Sequence, residues 1–210
     1  MKRYTKENIQ EHPFDLFFAE DNPKYLVIGS FPTINRYTSY NFFYPNSINR
    51  FWTVVSNIFV NSKTRLNLNV SKNDNPIIKK KNEIERKNFC RENKIAMTDM
   101  FASCIRMDDN SKDKQLLLHR YNPIIDILKK HSSIERIILT AKSAGSSAHH
   151  HFYQYLVMNE IEFEYGSGKG KIFVDSRTVY IFSVDSTSSL NRHVNENDLI
   201  ELYREAFNLT

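Results

Sequence analysis

Cysteine is nearly missing from this chain of 210 residues. Cys90 and Cys104 cannot make a disulfide framework, and no C-x-x-C pair is present, so a reducing cytoplasmic setting is the expectation. Glycine and proline are also scarce, at five and six residues, which excludes a low-complexity chain or a flexible multidomain linker. No apolar run is long enough to span a bilayer, and Met1-Lys2-Arg3 leads into polar residues rather than a signal-peptide core. No membrane partner is therefore expected. The length suits one domain over 1–210, with a core at about 24–208.

Aromatics and local charge are what the chain has in excess. Phe, Tyr and Trp make up 13% of it. The net charge is +5, but residues 61–94 hold ten Lys/Arg against four Asp/Glu, so that stretch carries +6 and the rest −1. It reads as a polar basic insertion at about 61–94. A solvated lysine-rich helix face explains such a region as well as a polyanionic partner does.

Patterning gives an α/β order. Tyr25-Leu26-Val27-Ile28 has the continuous apolar character of a strand buried on both faces. Ile95–Met100, Ile134–Thr140 and Val179–Val184 read as three more central strands. Ile161–Tyr165 and Lys171–Asp175 flank Gly166-Ser167-Gly168-Lys169-Gly170 and read as a hairpin, not a P-loop, whose spacing is absent. Helical patterns fall between them, over about 49–60, 77–93, 122–131, 145–158 and from Asn195 on, with Asn122-Pro123 as the expected start of the third. Residues 1–23 read as a lead-in that packs Phe14, Leu16, Phe17 and Phe18 on the core, and Asp108–Gln115 as a charged loop. The fold class is thus α/β, a three-layer sandwich with a central four-stranded, mostly parallel sheet between helices.

Two stretches hold the candidate chemistry. After the first strand, Gly29-Ser30-Phe31-Pro32 breaks the ladder. Gly29 leaves room for a ligand at the backbone, and Pro32 forbids further pairing. An aromatic loop with Tyr37, Tyr40, Phe42, Phe43 and Tyr44 follows and ends at Asn49-Arg50-Phe51-Trp52, where a helix begins with Asn46 or Ser47 as cap. Such a strand end, tight turn and aromatic loop describe a pocket at the carboxyl edge of the sheet. After the fourth strand, Ser186-Thr187-Ser188-Ser189 presents small hydroxyls suited to phosphate or sugar oxygens. Leu190 is oddly apolar for that loop, and wedging between stacked bases is one use for it. His149, His150 and His151 fan out around a helix and cannot chelate one metal together. Cys104 reads as packing.

Together, G-S-F-P, N-R-F-W and the late Ser186–Asn191 turn resemble the uracil-DNA glycosylase superfamily, most of all its deoxyinosine (hypoxanthine) and mismatch-specific branches. The segment Ala96-Met97-Thr98-Asp99 with Ser103-Cys104-Ile105-Arg106 is similar to the deoxyinosine branch. The resemblance implies a monofunctional DNA glycosylase that flips a deaminated base, hypoxanthine or uracil, into a pocket and hydrolyses its N-glycosidic bond. Neither metal nor cofactor is implied, the partner is DNA, and a monomer is expected. The alternative is a nucleic-acid-binding protein of the same fold without catalysis.

By the same resemblance, Gly29, Ser30 and Phe31 line the base. Phe31 stands where many relatives have a water-activating Asp or Asn, a departure the deoxyinosine branch shares, and that branch uses the Asn matched by Asn49. Read alone, Asn49 is equally a helix cap. Tyr44, or Phe43 if the loop is shifted by one, is the stacking residue. Ser186 occupies a transition-state-stabilising position where relatives carry His or Asn. Lys142, Thr187, Ser188, Leu190, Asn191 and Arg192 are the expected DNA contacts, Lys142 reading equally as an ordinary exposed lysine.

Overall fold

In the computed structural model, residues 4–17, 22–34, 38–107, 113–142 and 145–209 are described; Phe18, Tyr37 and the 108–112 part of the charged loop lie outside them. The lead-in contains a short strand β1 (Ile9–Glu11) and reaches the core at Phe17, which bridges to Met97. The buried run becomes β2 (Tyr25–Gly29), followed by helix α1 (Phe51–Ile58), helix α2 (Pro76–Glu92), β3 (Ile95–Asp99) and β4 (Phe101–Arg106). Then come β5 (Leu116–Tyr121), α3 (Ile124–Lys130), β6 (Arg136–Leu139), α4 (Ala148–Met158), β7 (Phe163–Gly166), β8 (Lys169–Val174), β9 (Arg177–Ser183) and α5 (Glu196–Phe207).

The main sheet has six strands in the order β3-β2-β6-β9-β8-β7, not four. Its first four are parallel, as the buried apolar runs require. The extra two are the glycine-flanked hairpin, which adds antiparallel to β9 instead of standing alone. Ser167 and Gly168 both have positive φ, giving the turn the twist that suits a two-residue hairpin loop. Alternation along β2 divides the core. Leu26 and Ile28 face α3 and α4, whereas Tyr25 and Val27 face α1, α2 and α5, so the architecture has three layers.

A second sheet, β1-β4-β5, is antiparallel and was not expected. The chain passes from β3 through Met100 straight into β4, and the N–H groups of Met100 and Phe101 bond to the carbonyls of Gly29 and Ser30. Asn122 is not a side-chain cap. It is buried and donates instead to the Asp99 carbonyl, 2.8 Å away, fixing the start of α3 against the end of β3.

Helix α2 is capped by Asn75, whose side chain accepts from Ile78 N. Its inner face is Asn82, Glu83, Arg86, Phe89 and Cys90, while Ile77, Ile78 and Ile84 are exposed. Arg86 is 1% exposed. Its guanidinium lies 4.1 Å from the Tyr40 ring centre and 5.4 Å from that of Trp52, and it donates to the carbonyls of Asn82 and Asn67. The basic segment is therefore tied under the aromatic loop by a cation on two ring faces.

Candidate active site

A cavity of about 690 Å³ opens where β2, β3, β6 and β9 end. It is lined by Gly29, Ser30 and Phe31, by Phe43 and Tyr44, by Asn49, and by Asp185–Ser188 with Leu190 and Asn191. Residues far apart in sequence thus share one concavity, because parallel strands carry all their following loops to the same sheet edge.

Its floor is the Gly29/Asp99 pair, which are register partners between β2 and β3. A Cβ on Gly29 would lie closer to Asp99 Oδ1 than the 3.0 Å below which Cβ atoms essentially never approach a neighbour. The glycine is required for space. Asp99 Oδ2 lies 2.9 Å from His12 Nε2, and both side chains are less than a tenth exposed, at 7% and 8%. His12 Nδ1 lies 2.7 Å from the Phe14 carbonyl oxygen. The imidazole is boxed by Phe14, Phe31 and Phe43, at centroid distances of 5.5 to 5.9 Å. Burial opposes a charge on His12, but the hydrogen bond and charge of Asp99, the Phe14 carbonyl and Asp15 together outweigh it and raise its pKa.

The N-R-F-W tetrapeptide holds the two loops together. Asn49 Oδ1 accepts from Phe51 N at 2.9 Å and from Thr187 Oγ1 at 2.8 Å. Because the Phe51 N–H can only donate, the amide orientation is fixed. Both oxygen lone pairs are then occupied, and the remaining polar atom is the donor Nδ2. Arg50 donates to the carbonyls of Asn191 and Val194, and its own N–H to that of Thr187. Phe51 stacks on Tyr44 at 4.0 Å and 15°, and Trp52 Nε1 donates to the Phe43 carbonyl.

Tyr44 has φ +51°, a left-handed conformation uncommon for a bulky residue. Three ties hold it there: the Phe51 stack, the Tyr40 hydroxyl donating to its carbonyl, and its own hydroxyl on Thr140 Oγ1 at 2.8 Å. Phe51 covers one face of the Tyr44 ring, and Tyr44 lines the cavity. Phe43 lines the same wall but is buried.

The serine-rich loop curls through local side-chain bonds. Ser186 Oγ accepts from Ser188 N, Ser188 Oγ from Leu190 N, and Asn191 Nδ2 donates to the Ser186 carbonyl. Leu190 stands at the cavity rim, 67% exposed. Thr187, expected at the DNA, is instead 1% exposed with its hydroxyl turned inward to Asn49. Lys142 lies in the wall, but its Nζ is paired with Asp185 Oδ2 at 2.8 Å. Arg192 is exposed and outside the lining.

Outside the cavity, His149 pairs with Ser183 Oγ and His151 with the Tyr121 hydroxyl. Cys104 is buried, and its thiol is pushed up to about 11 by that burial.

The same fold occurs in a solved structure. The solution structure described as a "putative Uracil DNA glycosylase" from Methanosarcina acetivorans superimposes with a TM-score of 0.59 at 16% identity, covering 96% of this chain and 98% of that one. No protein-family model and no curated protein matches the sequence.

His12, Thr140 and Asp185 are absent from the site residues expected from the sequence, and Asp99 enters there only within the Ala96–Asp99 segment similar to the deoxyinosine branch. Asp99 and Asp185 carried one usable signal, an acid at the carboxyl end of a buried strand. His12 carried none, since it lies 87 residues from Asp99 in an irregular lead-in.

Proposed function

We propose that this protein is a monofunctional DNA glycosylase that hydrolyses the N-glycosidic bond of a deaminated base, hypoxanthine or uracil. The observation that carries the reading is the convergence of G-S-F, Asn49 and the Ser186–Asn191 turn on one cavity large enough for a flipped nucleoside. The fold shared with the Methanosarcina structure supports it.

In this reading the base enters against Tyr44 and the Gly29–Phe31 turn, which line the cavity. Asn49 donates its Nδ2 hydrogens to charge that develops on the departing base. Its oxygen is held by Phe51 and Thr187, so the donor is oriented before the substrate arrives. Ser188 and Asn191 meet the backbone, Ser186 shapes the turn, and Leu190 fills the space the base vacates. Lys142 reaches a phosphate only by loosening its pair with Asp185. The enzyme acts as a monomer in the cytoplasm, from one domain of which the basic segment is an insertion.

A panel of labelled duplexes, each with one uracil, hypoxanthine or xanthine, tests the reading. Excision followed by alkaline strand cleavage is expected at one of them. Asn49→Ala should lower that excision by about 100-fold, the scale of losing one oriented donor, with DNA binding retained. Duplex binding without excision would instead leave a nucleic-acid-binding protein of the same fold.

A further inference from the structure

Hydrolysis needs a group that accepts a proton from water, and the motif residues do not provide one. Phe31 has no acceptor. Asn49 has both lone pairs of its oxygen occupied, and its free atom is a donor. The serine hydroxyls are too weakly basic at neutral pH. Among the described residues, two carboxylates line the cavity. Asp185 is engaged at Oδ2 by the Lys142 ammonium and is the more open of the two, with a side chain 20% exposed. Asp99 differs. It sits on the floor with Oδ2 on His12 and Oδ1 beside Gly29, the residue whose missing side chain makes room for it.

The contacts described around this carboxylate restrain it. Its backbone is locked in β3 beside β2, with the Asp99 carbonyl bonded by Asn122. His12 is in turn fixed by the Phe14 carbonyl and three aromatic rings. A buried carboxylate held by one oxygen, with the other at the floor of the cavity, is the arrangement general-base catalysis requires.

We infer that Asp99 is the catalytic base of this site, its Oδ1 accepting the proton of the attacking water, and that His12 is the residue that positions it. The inference rests on the glycosylase reading above. In the step, one O–H bond of water breaks and its proton passes to Asp99 Oδ1. The water oxygen bonds to the anomeric carbon, and the C–N bond electrons leave with the base. The base, as an anion accepting from Asn49 Nδ2, takes a proton from solvent on release. Asp99 returns its proton to solvent, and the products are free base and an abasic sugar.

The experiment is single-turnover excision of the base that the wild type removes, with anisotropy of the same duplex for binding and thermal melting for folding. Asp99→Asn, close to isosteric, should slow excision by about 100-fold or more while binding stays within about 3-fold. His12→Gln should slow it by about 10-fold, and adding it to Asp99→Asn should cost almost nothing further, because the two act as a unit. Formate should restore part of the rate to Asp99→Ala and none to Asn49→Ala. If Asp99→Asn does not fold, Asp99→Glu should bind normally and cut slowly. Wild-type excision by Asp99→Asn, a parallel loss of binding and rate, or loss in Asp185→Asn instead would overturn the assignment. A wild type that cuts no base in the panel overturns the glycosylase reading and the inference with it.

Discussion

Replacing Gly29 by alanine should strike the floor of the cavity through a single methyl group. Gly29 has no unusual φ, so the backbone of β2 would accept alanine; the space would not. Strand β2 is hydrogen-bonded to β3 on one side and β6 on the other and cannot retreat. The carboxylate of Asp99 must move by about 1 Å to reach ordinary van der Waals contact. If that shift is away from His12, the 2.9 Å bond is stretched beyond hydrogen-bonding distance. Losing a charge-assisted hydrogen bond costs about 1.5 to 3 kcal/mol, which at about 2 to 4 °C per kcal/mol for a chain of this size lowers Tm by about 3 to 12 °C. Misplacing the carboxylate by that distance should also lower single-turnover excision by about 100-fold. A double-mutant cycle isolates the cause. In the Asp99→Ala background the methyl group meets no carboxylate, so Gly29→Ala should add less than about 0.5 kcal/mol. A variant that melts and cuts like wild type, or an equal penalty in both backgrounds, would refute the packing argument.

Two further outcomes follow from the same geometry. His12 has a raised pKa in the folded protein, so its contribution is fullest below the histidine value of the unfolded chain and is lost as pH rises through the folded value. The stability gap between wild type and His12→Gln, measured by urea unfolding, should therefore shrink from about pH 6 to about pH 9; a constant or widening gap would contradict the Asp99–His12 pairing. Leu190→Ala should impair excision from paired duplex more than from single strands, since only the duplex leaves a gap to fill; equal loss on both substrates would remove the wedge role.

The parallel strands were legible because burial on both faces demands an unbroken apolar run, as in Tyr25–Ile28. The second sheet was not. In β5 Leu116 alone is buried and Leu117 and Leu118 face outward, so its strand character comes from pairing with β4 and not from a period in its own residues. The hairpin was visible from Gly166–Gly170, but its docking on β9 depends on a partner that local sequence does not name. At the site, the motif residues converged where strand-end logic put them. Thr187 did not keep a surface place because Asn49 needs a hydroxyl behind it. The Asp99–His12 pair joins a strand end to a lead-in without periodicity, and only the folded chain brings them together.

The buried arginine of α2 sets the two sides of the cavity apart in how they respond to surroundings. The Tyr44 wall is held by the Tyr40 hydroxyl, and the Tyr40 ring lies on the Arg86 guanidinium. The floor is held by an imidazole, which titrates. Alkaline conditions should therefore loosen the floor. The basic segment consequently cannot be exchanged as a cassette for a neutral one, because a methyl-capped or shortened residue at Arg86 would release from beneath a wall residue, Tyr44, about forty positions earlier in the chain.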